Sequence, residues 1–426
     1  MARAEQSVVE AAGRFLESFK RTVRLLIAIS GGSDSTGLLV ALASLVASGR
    51  YPGITLCACT IDHDLRPGSA EEGAAVGELC ARYGISHTIR RWTGDKPTTG
   101  LQAAARAKRY ELLVAAAIDA GAGAILSAHT RDDQAETIAM RAARASEGVG
   151  LSGMADAVLL HGAVWLFRPF LAVERAAVRS FLAARGESWI DDPSNTNTRF
   201  ERVRIRQREG ASKAERELGE RLELSQKAAG FLVRSVRIEE GIAILDRAAI
   251  GTALADPAAW RGLLLLSATV GGRMHTLEAA SAVRLRGFLA SGTLSRLTAG
   301  RVVFDRRRDG LFLYRECRGI EDLVLPAGAT GIWDGRFRVT NRNSRPVVVA
   351  AGVGDEAVPL RGPALRARRA MPCLKYEDGE VVPREAMSLQ AIVAPYALFL
   401  PRFDLPLANA LAGLLGIGPF SSPPNE

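Results

Sequence analysis

Six residues near the start of the chain, Ser30-Gly31-Gly32-Ser33-Asp34-Ser35, put two glycines, three hydroxyls and a carboxylate into one short segment. Paired glycines let a backbone turn tightly and approach a ligand without Cβ clashes. Where a helix follows such a turn, its free N–H groups and its dipole make an anion site. The hydroxyls of Ser30, Ser33 and Ser35 would add donors, and a loop of this kind suits a pyrophosphate. Asp34 is the odd member, because a carboxylate repels phosphate. Either a Mg2+ bridges it to the anion, or it accepts backbone N–H bonds that hold the loop. An ordinary glycine-rich turn is the bland alternative.

A second group lies further on, in Asp132-Asp133-Gln134-Ala135-Glu136-Thr137. On a helix, Asp133 and Glu136 are three residues apart and Asp132 and Glu136 four apart, so the carboxylates crowd one face. Carboxylates facing one cleft repel unless a cation lies between them; without a cleft they are an acidic first turn favoured by the helix dipole. His129 lies three residues before Asp132, at the end of the preceding strand, where it can touch a phosphate or a reacting base. Arg106 and Arg109 share one face of a helix and could reach a polyphosphate or RNA. His63 and Arg66 follow an apolar run, and Arg199, Arg202 and Arg204 open a basic stretch suited to RNA phosphates.

The elements that must position these groups read as repeated β–α units. Leu25–Ile29 is an apolar run of the kind found in buried parallel strands, and Thr36–Ala47 reads as a helix after it. Strands follow at 54–61, 87–92, 124–128 and 164–167, with helices at 69–83, 101–120, 132–144 and 173–185. This pattern predicts an α/β fold, a parallel-sheet nucleotide-binding domain with helices on both faces. The phosphate loop and the acidic group then share the C-terminal edge of the sheet, where open α/β sheets bind ligands. Beyond 212 the chain predicts a mainly helical segment, 213–320, with a hairpin around 301–314, and then a small β-rich module, 321–426. Cys57 and Cys59 alternate within a strand and are expected to share its buried face.

Composition narrows the field. The 426 residues are 48% hydrophobic and carry a net charge of +9, with lysine only at positions 20, 96, 108, 213, 227 and 375. An arginine-dominated excess of this kind is compatible with nucleic acid, and equally with a solvated surface. Five scattered cysteines without a CxxC pair argue against disulfides and structural zinc. No apolar stretch is long enough to span a membrane, and Glu5, Glu10 and Glu17 make the first residues unlike a signal peptide, so a cytoplasmic chain is expected. No lysine follows a glycine, which excludes a Walker loop, and Gly148–Gly153 spells G-x-G-x-x-G after a helix, the wrong context for a dinucleotide fingerprint.

The Ser-Gly-Gly-Ser-Asp-Ser loop resembles that of the N-type ATP pyrophosphatases. Within that superfamily the order of motifs is similar to the tRNA(Ile)-lysidine synthases: Thr60-Ile61-Asp62-His63-Asp64-Leu65-Arg66-Pro67, Ala105–Tyr110, Ala128-His129-Thr130-Arg131 with the acidic block, Gly150–Met154, Arg168-Pro169-Phe170 and Asp191–Asn195. The resemblance covers about residues 24–206 and weakens after 212. It implies that ATP and Mg2+ are used to adenylate the wobble cytidine of isoleucine tRNA with a CAU anticodon, and that L-lysine then displaces AMP. It further implies that Ser30–Ser35, His63 and Arg106 hold the nucleotide, with Mg2+ at Asp34. Asp132, Asp133 and Glu136 would face the lysine ammonium, His129 and Arg109 the reacting groups, and Arg199, Arg202 and Arg204 the tRNA. A homodimer is among the expected assemblies. Rival expectations are a tRNA thiolase and a noncatalytic tRNA-binding module. The chain departs from the family pattern at Thr130, at Asp64 and at Ala145 and Glu147; a glycine is replaced at Asp64 and another after Arg144, which should change backbone freedom near the substrate.

Overall fold

The computed structural model describes residues 2–65, 68–142, 153–190, 210–352, 360–376, 378–383 and 386–426. By compactness the chain forms two units, 1–221 together with 421–426, and 222–420.

The first unit contains α1 (Ala2–Glu17), β1 (Val23–Ala28), α2 (Ser33–Ala47), β2 (Ile54–Asp62), α3 (Ser69–Arg82), β3 (Ser86–Arg91), α4 (Leu101–Asp119), β4 (Ala124–Leu126), α5 (Arg131–Ala142), β5 (Ala157–Leu160), β6 (Val164–Phe167) and α6 (Arg175–Ala183). Within this unit the strands lie in the order β5-β6-β4-β1-β2-β3. β1 is central: Leu26 is opposite Cys57 of β2 on one side and Ile125 of β4 on the other, both parallel. Leu25, Leu26 and Ile27 are all buried, because a strand covered on both faces has no solvent side. Cys57 and Cys59 are buried on β2 as expected.

Two features of this unit depart from the expected all-parallel pattern. β5 pairs antiparallel with β6 through a tight turn in which His161 and Gly162 both have positive φ, 52° and 67°. α1 adds an amphipathic helix whose Val8, Ala11, Ala12 and Leu16 are buried, packed on α2 and α6. α2 itself is buried continuously from Ser35 to Ala43, since α1 and α6 cover the sides the sheet does not. Gly37 permits this close packing: a Cβ there would lie 2.2 Å from Val178 Cγ1 of α6. The approach brings Arg175 and Arg179, one helical turn apart on α6, to the start of α2. The last residues return to the first unit, where the Ser421 carbonyl accepts from Trp165 Nε1 at 3.1 Å.

The second unit begins within α7 (Gly210–Ser235). It continues with β7 (Val236–Glu239), β8 (Ile242–Leu245), α8 (Arg247–Ala255), α9 (Pro257–Val270), α10 (Ala279–Ser291), β9 (Arg296–Ala299), β10 (Val302–Arg306) and β11 (Leu311–Arg315). Asp246 and Asp256 cap α8 and α9 by accepting the N–H of Ala249 and Ala258. The expected hairpin is β10–β11, but it belongs to an antiparallel sheet, β7-β8-β11-β10-β9, so this stretch holds more strand than its helical periodicity suggested. β12 (Leu323–Leu325), β13 (Thr330–Trp333), β14 (Phe337–Asn341), β15 (Val347–Ala351), β16 (Pro372–Lys375) and β17 (Met387–Ala391) form two further antiparallel sheets, β12-β15-β16 and β13-β14-β17, with α11 (Gly362–Arg368) between β15 and β16 in the chain and α12 (Leu405–Leu414) after them. Their core is Leu325, Trp333, Val339, Val347, Val349, Val382 and Met387.

Candidate active site

A cavity of about 430 Å³ opens at the C-terminal ends of β1 and β4, lined by Ser30, Gly32, Ser33, Asp34, Ser35, Arg109, Ser127, His129, Asp133, Arg175, Arg179 and Ile190. Its floor is the turn from β1 into α2. Gly31 takes φ +83°, a left-handed conformation that costs other residues free energy, and its carbonyl accepts the Thr36 hydroxyl at 3.2 Å and the Ile190 N–H at 2.9 Å. Gly32 is the N-cap of α2, with no side-chain cap, so the first turn of the helix borders the cavity with its N–H groups unclaimed by any cap. Ser35 shapes the loop: its hydroxyl accepts the Ser30 N–H at 3.2 Å and donates to the Gly32 carbonyl at 3.1 Å.

The acidic wall comes from the start of α5. Thr130 precedes the helix, and Asp133, at its third position, accepts both the Thr130 N–H (2.7 Å) and the Thr130 hydroxyl (2.8 Å) on Oδ2. Both bonds run from Thr130 to the carboxylate, one half of a capping box, and they hold the Asp133 side chain with Oδ1 left for Arg175. The cation that the crowded carboxylates require is part of the chain. Arg175 donates from Nε to Asp34 Oδ2 at 2.8 Å and from Nη2 to Asp133 Oδ1 at 2.7 Å, with Nη1 3.9 Å from Glu136 Oε1. Its backbone N–H donates to Asp132 Oδ2 at 2.9 Å, so Asp132 anchors the start of α6. Arg179 reaches the loop through Ser33 Oγ at 3.4 Å.

Electrostatics follow from this packing. Burial raises the Asp34 pKa, Arg175 opposes that shift, and Asp133 adds to it. Arg175 is held charged, its pKa raised by Asp34, Asp133 and Asp132 against the opposing effect of burial. His129, whose Nδ1 lies 3.0 Å from Ser127 Oγ, is pushed down to about 3 by burial and then by Arg168, Arg109 and Arg106, so the imidazole is neutral at pH 7. Burial also lowers the pKa of Arg109. A Mg2+ held by the Asp34 carboxylate would have to share its oxygens with side chains already bonded to them. Arg175 occupies Oδ2 and Ser33 donates to Oδ1 at 3.2 Å. Among the described residues, no three His, Cys, Asp or Glu side chains group to hold a metal. The partners seen for this carboxylate are side chains, not backbone N–H groups, and it ties the loop to α6.

Residues 4–209 match the PP-loop domain family. Over 98% of its length the chain is 44% identical to a tRNA(Ile)-lysidine synthase of Rhizobium meliloti, covering 97% of that protein. It is 39% identical to the one of Mesorhizobium japonicum, with 93% of each chain covered, and 35% identical to the one of Brucella ovis over 93% of this chain and 95% of the relative. The chain belongs to the tRNA(Ile)-lysidine synthase family. These relatives give no support to a thiolase or to a noncatalytic module.

The resemblance that pointed to the lysidine synthases named residues the structure now distributes. Ser30, Gly32, Ser33, Asp34, Ser35, Arg109, His129 and Asp133 line one cavity, and Gly31 shapes it. Glu136 stands near Arg175 with its side chain 41% exposed. Arg106 is exposed, its guanidinium 5.3 Å from the centroid of the Tyr110 ring. His63 packs edge-on to Trp92 with Nδ1 buried and unpaired; burial and then Arg109 lower its pKa. Asp64, where the family pattern has glycine, keeps a left-handed φ of 50°, and Asp62 accepts its N–H at 2.8 Å. Aspartate tolerates that conformation better than most residues, so the turn keeps a glycine-like φ. Arg66, the departures at Ala145 and Glu147, Gly150, Leu151, Ser152, the Asp191–Asn195 segment and Arg199, Arg202 and Arg204 lie outside the described residues. Arg175, Arg179 and Ser127 were not singled out by sequence reasoning. Their only signal was position: Ser127 closes β4, and the two arginines stand four residues apart on α6.

Proposed function

We propose that this chain joins the ε-amine of L-lysine to C2 of the wobble cytidine of isoleucine tRNA with a CAU anticodon, using ATP. The observation that carries the reading is the meeting, in one cavity, of the phosphate loop at the start of α2 and the acidic start of α5. The C2 carbonyl oxygen of the cytidine attacks the α-phosphorus of ATP and pyrophosphate leaves. The lysine nitrogen then attacks C2, AMP departs with that oxygen, and the amine gives up a proton. Ser30–Ser35 cradle the leaving pyrophosphate, and the first-turn N–H groups of α2 take up its charge. Arg109 and Arg179 add positive charge beside the polyphosphate. Neutral His129 presents a hydrogen-bonding ring to the reacting base and takes no proton at neutral pH. Asp133 and Glu136 orient the ammonium.

The second unit supplies an RNA-binding surface in this proposal, with 213–320 and 321–426 as its two functional segments. Its arginine-lined cavity of about 720 Å³ brings together Arg296, Arg306, Arg307, Arg308 and Arg366 around Asp305 and Tyr314. Asp305 is only 5% exposed, with Arg307 Nε 3.3 Å and Arg366 Nη1 3.5 Å from its Oδ2. One carboxylate for five guanidiniums leaves positive charge for RNA phosphates.

The test is AMP release from ATP by the full chain with CAU-anticodon isoleucine tRNA, with and without lysine. Release that requires the tRNA, with lysine entering the RNA, is expected, and Asp34→Asn, which weakens the tie between the loop and Arg175, should slow it while sparing tRNA affinity. Nucleotide release indifferent to lysine would overturn the reading.

A further inference from the structure

Four carboxylates, Asp34, Asp132, Asp133 and Glu136, converge on Arg175. Arg179 is the next cation along α6, and Arg131 is drawn aside by its own pair with Glu174. The fork of Arg175 is also divided between elements: Nε holds the phosphate loop, through Asp34, and Nη2 holds the capped start of α5, through Asp133. The Asp34 and Arg175 side chains are 21% and 27% exposed, and Asp133 is 25% exposed, so these bonds are partly withdrawn from solvent and worth more than surface pairs.

We infer that Arg175 is a positioning residue that locks the phosphate loop to the acidic start of α5 and so aims its carboxylates at the substrate ammonium. The inference rests on the reading of Asp133 and Glu136 as the amine site. Asp34 and Asp133 would otherwise repel across the cavity, and the loop and α5 would have no shared partner. With Arg175 between them, the carboxylates meet the amine already aimed. A single guanidinium thereby ties the order of the ATP loop to the order of the amine site.

The experiment uses the full chain with Arg175→Ala and Arg175→Lys. Tertiary structure is checked by near-ultraviolet circular dichroism, and the Lys variant carries the test where the Ala variant does not fold. Two rates are read: pyrophosphate release with tRNA alone, and lysine transfer as lysine is titrated. In Arg175→Ala the KM for lysine should rise about tenfold, because losing the bond that aims Asp133 outweighs the extra negative charge left by removing a guanidinium. Methylguanidinium should restore much of the loss at concentrations that do not stimulate the parent enzyme, and Arg175→Lys should fall between the two. A merely structural brace would lower both rates together, with lysine KM unmoved and no rescue, and that result would overturn the inference. Glu136→Gln separates the two readings. If it raises lysine KM while the folded Arg175 variants do not, the inference fails and the amine site stands. If none of the three moves lysine KM, the amine site itself is wrong.

Discussion

The two glycines of the phosphate loop should fail in different ways when a methyl group is added. Gly31 has φ +83°, and a Cβ there would lie 2.7 Å from Ile190 Cδ1 and 3.1 Å from Val76 Cγ2. The left-handed backbone costs an alanine about 1–2 kcal/mol. Crowding adds about 1 kcal/mol, the low end for overpacking, because the nearest atom is a terminal methyl. Ile190 has little room to retreat, since its N–H is bonded to the Gly31 carbonyl at 2.9 Å. The sum, about 2–3 kcal/mol, should lower the melting temperature of the first unit by at least about 4 °C, at 2–4 °C per kcal/mol for a domain of this size. Gly32 has φ −68°, and its Cβ would find nothing closer than Ser30 Oγ at 3.8 Å. Gly32→Ala should therefore melt within about 0.5 kcal/mol of the parent, yet weaken ATP, because this residue lines the cavity. Calorimetric melts with and without ATP measure both. A Gly31→Ala protein that melts with the parent, or a Gly32→Ala protein that binds ATP as the parent does, would refute the assignment of one glycine to the fold and the other to the ligand.

Three further outcomes can be measured directly. His129 has a folded pKa of about 3, below its unfolded value near 6.5, so the unfolded chain binds the extra proton and stability falls as pH drops through that window. His129→Gln should flatten this dependence in urea titrations run at successive pH values, and its imidazole should stay neutral by NMR at pH 5. In the second unit, Asp334 is bonded by Arg315 at 2.9 and 2.8 Å and by Arg336 at 2.6 Å, with all three side chains no more than 8% exposed. Asp334→Ala leaves two buried guanidiniums uncompensated and should cost about 3–5 kcal/mol in a urea melt of that unit. Arg296→Ala and Arg308→Ala should each weaken tRNA binding and reduce the steepness of its salt dependence by up to about one unit in a log–log plot, if the arginine-lined cavity meets phosphates.

What could be read from the sequence was what a local pattern encodes. The apolar run before Ser30 became β1, and glycines followed by serines became the turn into α2, because burial on two faces and a tight turn each leave a mark within a few residues. Val164–Phe167 read as a strand, but its hairpin partner Ala157–Leu160 did not, because the turn between them uses His161 before Gly162 instead of the commoner Asn or Asp and so gives no hairpin signal. α1 went unread as structure because its glutamates were weighed only against a targeting segment.

The site shows the same boundary between local and nonlocal. The carboxylates of α5 announce by their spacing that a cation must lie among them, but spacing cannot say whose cation it is. Arg175 stands 141 residues from Asp34 and 42 from Asp133, and in sequence it is one arginine among many on a basic chain. It reaches the loop because Gly37 lets α6 close onto α2 at Val178, a contact encoded jointly by two distant helices. The charge balance of the amine site is thus set by helix packing at least as much as by the motif that displays the acids. On that argument, Gly37→Ala, which would put a Cβ 2.2 Å from Val178 Cγ1, should loosen α6 and raise the KM for lysine without altering any residue that touches substrate. The double variant with Val178→Ala, which removes the clashing methyl, should recover much of it. A Gly37→Ala enzyme with parental lysine KM and a lowered melting temperature would show that the helix contact supports the fold alone.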